Sequence, residues 1–154
     1  MTNLLTDAET IITRHANSGQ AALLPMLHAL QAELGWIDDA MVPRIAEALN
    51  LSRADVHGVV TFYHDFRRSP PGRHVLKLCS AEACQAMGAS ALIARAERTL
   101  GTAIHTTRAD GAVTLDPVFC LGLCSVAPAA ILDGQVRGRL NELRIDKLCA
   151  EAVA

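Results

Sequence analysis

Four cysteines fall in two close pairs, Cys79 with Cys84 and Cys120 with Cys124, in the pattern C-x4-C, 35 residues, then C-x3-C. Each pair is near enough in sequence to chelate one metal atom from a single loop. Thiolates are soft ligands, so four of them without a neighbouring histidine or carboxylate favour iron–sulfur or zinc over magnesium or calcium. Two pairs suit a two-iron, two-sulfide cluster directly, with Cys79 and Cys84 on one iron and Cys120 and Cys124 on the other. The compact cysteine runs of bacterial four-iron and plant-type ferredoxins are absent. So are the paired histidines of a Rieske centre and the C-x-x-C of thioredoxin chemistry. A structural zinc site made by the same four thiolates is the competing reading, because zinc pairs commonly enclose about two to four residues. Ordinary buried thiols are a third.

Other residues near this chemistry have weaker signals. Gly122, inside the second pair, lets backbone amides approach the cluster sulfurs, and Gly88 permits close packing over the first loop. Such hydrogen bonds, with burial and charge, tune a cluster's potential. Cys149 stands alone on an apolar helix with Leu143, Ile145 and Leu148, and reads as a small buried hydrophobe. His28, His57, His64 and His74 have no ligand-like spacing and read as surface or supporting polar groups. No glycine-rich nucleotide loop and no nucleophile–base pair is evident.

The elements that must position these cysteines follow from pattern and caps. Thr6-Asp-Ala-Glu9 is a capping-box pattern opening a helix to about Ala16. Leu23, Leu24, Leu27, Leu30 and Leu34 continue with helical spacing, Pro25 in the first turn and Gly35 as C-cap. Asp38 and Asp39 open a third helix that Asn50 stops, and Ser52 with Asp55 caps a fourth over VHGVVTFY. Residues 1–68 therefore read as a helical bundle. After the proline loop at Ser69–Gly72 the pattern changes. His74–Leu78 reads as a strand ending at Cys79, and 84–100 as one amphipathic helix with Cys84 at its N-terminus, where the helix dipole favours an anionic centre. Ala103–Thr106 and Val113–Val118 flank a turn at Ala109-Asp-Gly111. Ala129–Leu132 and Gln135–Arg137 form a hairpin about Asp133-Gly134, and Asn141 caps a terminal helix through Cys149. Residues 69–154 are thus an α/β domain with a mostly antiparallel sheet, and the whole chain is α+β.

Composition excludes several classes. The 154 residues carry a formal net charge of -2 and only five aromatics, Trp36, Phe62, Tyr63, Phe66 and Phe119, so no electrostatic nucleic-acid binder is indicated. The N-terminus lacks the apolar stretch of a secretory leader, and the uncharged run Pro117–Leu132 is too short to span a bilayer. The expectation is a cytoplasmic chain, where clustered cysteines serve as metal ligands or redox groups.

Four segments, LLPMLHALQAELGWID, GVVTFYHDF, the C-x4-C pair and FCLGLCSVAP, occur in the order seen in a known family. The chain resembles the thioredoxin-like 2Fe-2S subunits of the complex I 24 kDa type, which include subunits of NAD-linked hydrogenases and formate dehydrogenases. The resemblance implies an electron-transfer subunit with a thioredoxin-like C-terminal domain, one cluster on Cys79, Cys84, Cys120 and Cys124, and a partner subunit carrying FMN and binding NAD. ALNLSRADVHGVVTFYHDFR and LKLCSAEACQAMG look most like the gamma subunit of NAD-dependent formate dehydrogenase, which implies a molybdenum or tungsten cofactor in a catalytic partner. Complex I and hydrogenase subunits are the alternatives. TFYHDF is a candidate docking face, although helix-to-sheet packing explains Phe62 and Phe66 as well. Ser125 and Pro128 shape the loop after the second pair, and the resemblance to thioredoxin-like folds suggests a cis bond at Pro128.

Overall fold

Residues 4–154 are described by the structure, a computed structural model. The chain divides between Pro70 and Pro71 into a helical unit and an α/β unit.

The helical unit begins with α1, Leu4–Ala16. This helix is already formed at Leu4, so Thr6 lies within it rather than capping it. Glu9, read as the other half of that box, instead receives the Arg44 guanidinium at 2.7 Å. A 3-10 turn at Gln20–Ala22 leads into α2, Leu23–Leu34, with Pro25 in its first turn and Gly35 closing it at φ 83°. The third helix is not continuous from Asp38. Asp39–Met41 forms a 3-10 turn, capped by the Asp38 carboxylate accepting Ala40 N–H, and α3 runs Val42–Leu49. Pro43 explains the split: it has no N–H to give the Asp39 carbonyl, which accepts from Val42 instead. α4, Arg53–Phe62, opens on a complete capping box between Ser52 and Asp55. Met26, Leu27, Leu30, Ile45, Val56 and their neighbours bury the apolar stripes of these helices in one core.

In the α/β unit, β1 (His74–Cys79) is the central strand of a five-stranded sheet. The others are β2 (Thr106–Thr107), β3 (Val113–Val118), β4 (Ala130–Leu132) and β5 (Gln135–Arg137), in the order β2-β3-β1-β4-β5. β1 and β3 run parallel, in register from His74 opposite Val113 to Cys79 opposite Val118. The other three pairings are antiparallel. Leu76, Leu78, Leu115 and Leu132 pack with residues of two helices, α6 (Ala89–Leu100) and α7 (Glu142–Glu151), in a second core.

Two expected elements differ. The single helix over 84–100 is split into α5, Glu82–Ala86, and α6, because Gly88 takes a left-handed φ of 88° between them. Cys84 therefore lies inside a short helix, not at the start of the long one. β2 begins at Thr106 rather than Ala103. The Glu97 carboxylate accepts Ile104 N–H at 2.9 Å, and His105 turns the chain at φ 66°, so 103–105 is a turn. The β4–β5 hairpin turns at Asp133 (φ 48°) and Gly134 (φ 81°), the doubly positive turn that suits twisted strands. Asn141 caps α7 by accepting Arg144 N–H at 2.9 Å.

Candidate metal centre

Parallel pairing of β1 with β3 makes both strands end at the same edge of the sheet. The loops that follow them carry the two cysteine pairs. Cys79 N–H donates to Ala129 O at 3.0 Å and Ser80 N–H to Val118 O at 2.8 Å, which ties the first cysteine loop to the residue before β4 and to the end of β3. Topology, rather than sequence proximity, thus gathers thiols that are 35 residues apart.

The Cys120 and Cys124 sulfurs stand 3.8 Å apart, the separation that two ligands of one tetrahedral metal adopt with bonds of about 2.3 Å. The Cys79 and Cys84 thiols perturb each other's titration, and both lie within electrostatic reach of Cys124. Among the described residues no three His, Cys, Asp or Glu donors converge on a single point, so the arrangement is one of pairs. Cys79 and Cys84 are buried, whereas Cys120 and Cys124 are exposed. Ala89 and Ala129 are buried with the inner pair, and Ala81, Val118, Leu121, Leu123 and Ala127 pack around them.

Backbone N–H groups are aimed at these sulfurs. The amides of Ala81, Cys120 and Leu121, the last two from the opposite loop, lie near enough to Cys79 to lower its pKa. The amide of Ala129 acts on Cys84 in the same direction. Gly122 N–H donates to Cys120 Sγ at 3.3 Å. Burial pushes the Cys79 thiol up, but these donors and the Cys84 thiol outweigh it and hold Cys79 below the usual thiol range. Burial, then the neighbouring Cys79, raises Cys84, and the hydrogen bond with Cys120 raises Cys124. Several thiols with amide donors around them form a site built for negative charge shared over sulfur. A two-iron, two-sulfide cluster fits that donor set.

Of the two glycines singled out, Gly122 has φ 73° and presents its amide to sulfur. Gly88 is exposed, and a Cβ there would meet nothing within 4 Å, so its role is the turn between α5 and α6 rather than close packing. Cys149 is buried in the core with Ile145 and Leu148. The His28 ring meets the Phe66 ring at a tilt of 57°, centroids 5.0 Å apart, and His74 Nδ1 bonds the Asp133 carboxylate at 2.7 Å. Phe66 is buried in the helical core, while Phe62 is 71% exposed. Ser125 lies exposed in the 3-10 turn Cys124–Val126, and the Ala127–Pro128 bond is cis. The amides of Ala81, Leu121 and Ala129 escaped sequence reasoning because a backbone N–H carries no residue-type signal. Gly122 was the one such donor that residue type exposed.

The profile of the thioredoxin-like [2Fe-2S] ferredoxin family matches residues 8–152, which covers both units. The chain belongs to that family. An NADH-quinone oxidoreductase subunit from Pseudomonas aeruginosa is 36% identical over 134 residues, 87% of this chain and 81% of that one. Its Escherichia coli namesake is 34% identical over the same shares. Among solved structures, an NAD+-reducing [NiFe]-hydrogenase in the air-oxidised state matches with TM-score 0.72 and 26% identity over 85% of this chain. This thioredoxin-like 2Fe-2S ferredoxin spans only 22% of the hydrogenase chain. Family membership decides between the two metals: the cofactor is a 2Fe-2S cluster, and the protein is an iron–sulfur electron-transfer protein. Among the described residues no helix is long and apolar enough to cross a membrane.

Proposed function

We propose that Cys79, Cys84, Cys120 and Cys124 hold one 2Fe-2S cluster, and that the chain is the electron-transfer subunit of a cytoplasmic NAD-linked oxidoreductase complex. The observation carrying this is the pair-wise gathering of four thiols, with amides on their sulfurs, at the shared end of β1 and β3. A bound cluster supplies one-electron storage. The chain's own groups do the rest. The inner cysteines and their apolar collar keep water from one side, the amides of Ala81, Leu121, Gly122 and Ala129 offset negative charge, and the exposed Cys120–Cys124 side faces outward for exchange. The partner is an FMN-bearing, NAD-binding subunit, since a flavin handles electrons in pairs and a single-electron site beside it can hold one of them. The chain has no active site of its own in this reading.

The parent complex is an NAD-dependent formate dehydrogenase, in which formate is oxidised at a molybdenum or tungsten cofactor of another subunit. ALNLSRADVHGVVTFYHDFR and LKLCSAEACQAMG support it. The second reading, an NADH-quinone oxidoreductase or NAD-linked hydrogenase subunit, is favoured by the relatives named above. Affinity purification of the tagged chain tests both levels. Iron and acid-labile sulfide, an FMN-containing partner and formate-dependent NAD reduction are expected. Quinone- or hydrogen-linked turnover without formate activity selects the second reading. Recovery as a lone chain with stoichiometric zinc and no sulfide sinks the whole proposal.

A further inference from the structure

Cys124 opens a single 3-10 turn, Cys124–Val126, closed by Val126 N–H to Leu123 O at 2.9 Å. One 3-10 turn is a short element with weak internal bonding. The segment joining β5 to α7 lies directly against it. Arg139 N–H donates to Val126 O at 2.6 Å and Leu140 N–H to Pro128 O at 3.0 Å. That segment is held in turn by α7: the Arg144 guanidinium donates to the Gly138 and Arg139 carbonyls at 3.2 and 3.1 Å. Leu140 anchors it by its place in the second core.

Gly138 is the point of closest approach. A Cβ there would stand 2.7 Å from Val126 Cγ2 and 3.1 Å from both Val126 Cβ and Val126 O. Unlike Gly122, Gly138 does not have a positive φ, so its requirement for glycine is steric. Valine is stiff at χ1, and the carbonyl is also in the way, so an added methyl must displace the turn that carries Cys124. We propose that Gly138 is a positioning residue for the cluster. With Arg139, Leu140 and Arg144 it forms a brace from the first turn of α7 that sets the orientation of the Cys124 sulfur. The proposal rests on Cys124 being a cluster ligand.

The test uses the full chain with its cluster, read by the electron paramagnetic resonance spectrum of the reduced state and by the rate of iron loss to a chelator. Gly138→Ala is expected to shift the spectrum and speed iron loss. Val126→Ala alone should keep the wild-type spectrum, and the Gly138→Ala/Val126→Ala double variant should move back toward it, because loss of Cγ2 removes the 2.7 Å contact while those at 3.1 Å to Val126 Cβ and O remain. Val126→Ile, which adds bulk from the other side of the contact, should reproduce the Gly138→Ala shift and serves where Gly138→Ala does not fold. A wild-type spectrum and release rate in both Gly138→Ala and Val126→Ile overturns the brace, as does a defect that persists undiminished in the double variant. Cys124→Ser separates the two levels. An unchanged Cys124→Ser spectrum removes the ligand assignment itself, whereas a changed one beside an unaltered Gly138→Ala sinks only the brace.

Discussion

Cys79 and Cys149 are both buried, yet their thiols are pushed in opposite directions. Burial raises each, but at Cys79 the amides of Ala81, Cys120 and Leu121 and the Cys84 thiol reverse the shift. At Cys149 nothing opposes burial, nearby Asp146 adds to it, and the thiol rises to about 11. Cys79 can hold charge, and Cys149 stays a neutral hydrophobe. Cys120→Ser should therefore lose or alter the visible spectrum of the cluster while Cys149→Ser leaves it intact; equal losses would overturn the ligand set. The Cys149 shift has a second consequence. Its acid form is favoured in the folded state, so its contribution to stability is full below the unfolded thiol value, near 9.0, and is lost as pH rises toward about 11. After allowance for solvent screening this amounts to about 1–2 kcal/mol. Urea unfolding at several alkaline pH values should show wild type losing stability more steeply than Cys149→Ala. Parallel pH slopes for the two would rule this out.

The elements that sequence made legible are those whose determinants sit within one turn. Ser52 and Asp55 bond each other, Asn141 caps Arg144, and Asp133-Gly134 turns a hairpin. Each is a contact between residues a few positions apart, so the sequence displays both partners together. The misreadings share the opposite property. Glu97 fixes Ile104 seven residues away and so shortens β2. The amphipathic pattern over 84–100 continues across Gly88 because apolar spacing does not report the sign of φ. Gly88 and Gly122 both have positive φ, at 88° and 73°, where an alanine costs roughly 1 kcal/mol. Gly88→Ala and Gly122→Ala should each lower the melting temperature by a few degrees. Only Gly122→Ala should also change the spectrum of the reduced cluster, because its amide donates to Cys120. A comparable spectral change in Gly88→Ala would give Gly88 a role at the cluster that its open surroundings do not suggest.

At the scale of the molecule, the four cysteines proposed as ligands stand out in the sequence because soft donors in two short spacings are rare and chemically specific. Their assembly could not be derived that way, since it depends on β1 and β3 pairing parallel across 33 intervening residues between Cys79 and Val113. That pairing belongs entirely to the α/β unit, Pro71–Ala154, which contains both cysteine loops, every amide found on their sulfurs and the brace from α7. The unit also has its own apolar core, with Leu76, Val113, Leu115, Ala130 and Ile145 fully buried within it. The helical unit closes a separate core around Met26, Leu27, Leu30 and Ile45. A fragment of residues 71–154 should therefore fold alone and take up a cluster with the spectrum of the whole chain, although so small a domain is expected to be only marginally stable. Cluster reconstitution on the purified fragment, with cooperative urea unfolding as the check on folding, decides the matter. A folded fragment that cannot hold iron would show that the helical unit contributes to the centre, and an unfolded one would refute the independence of its core.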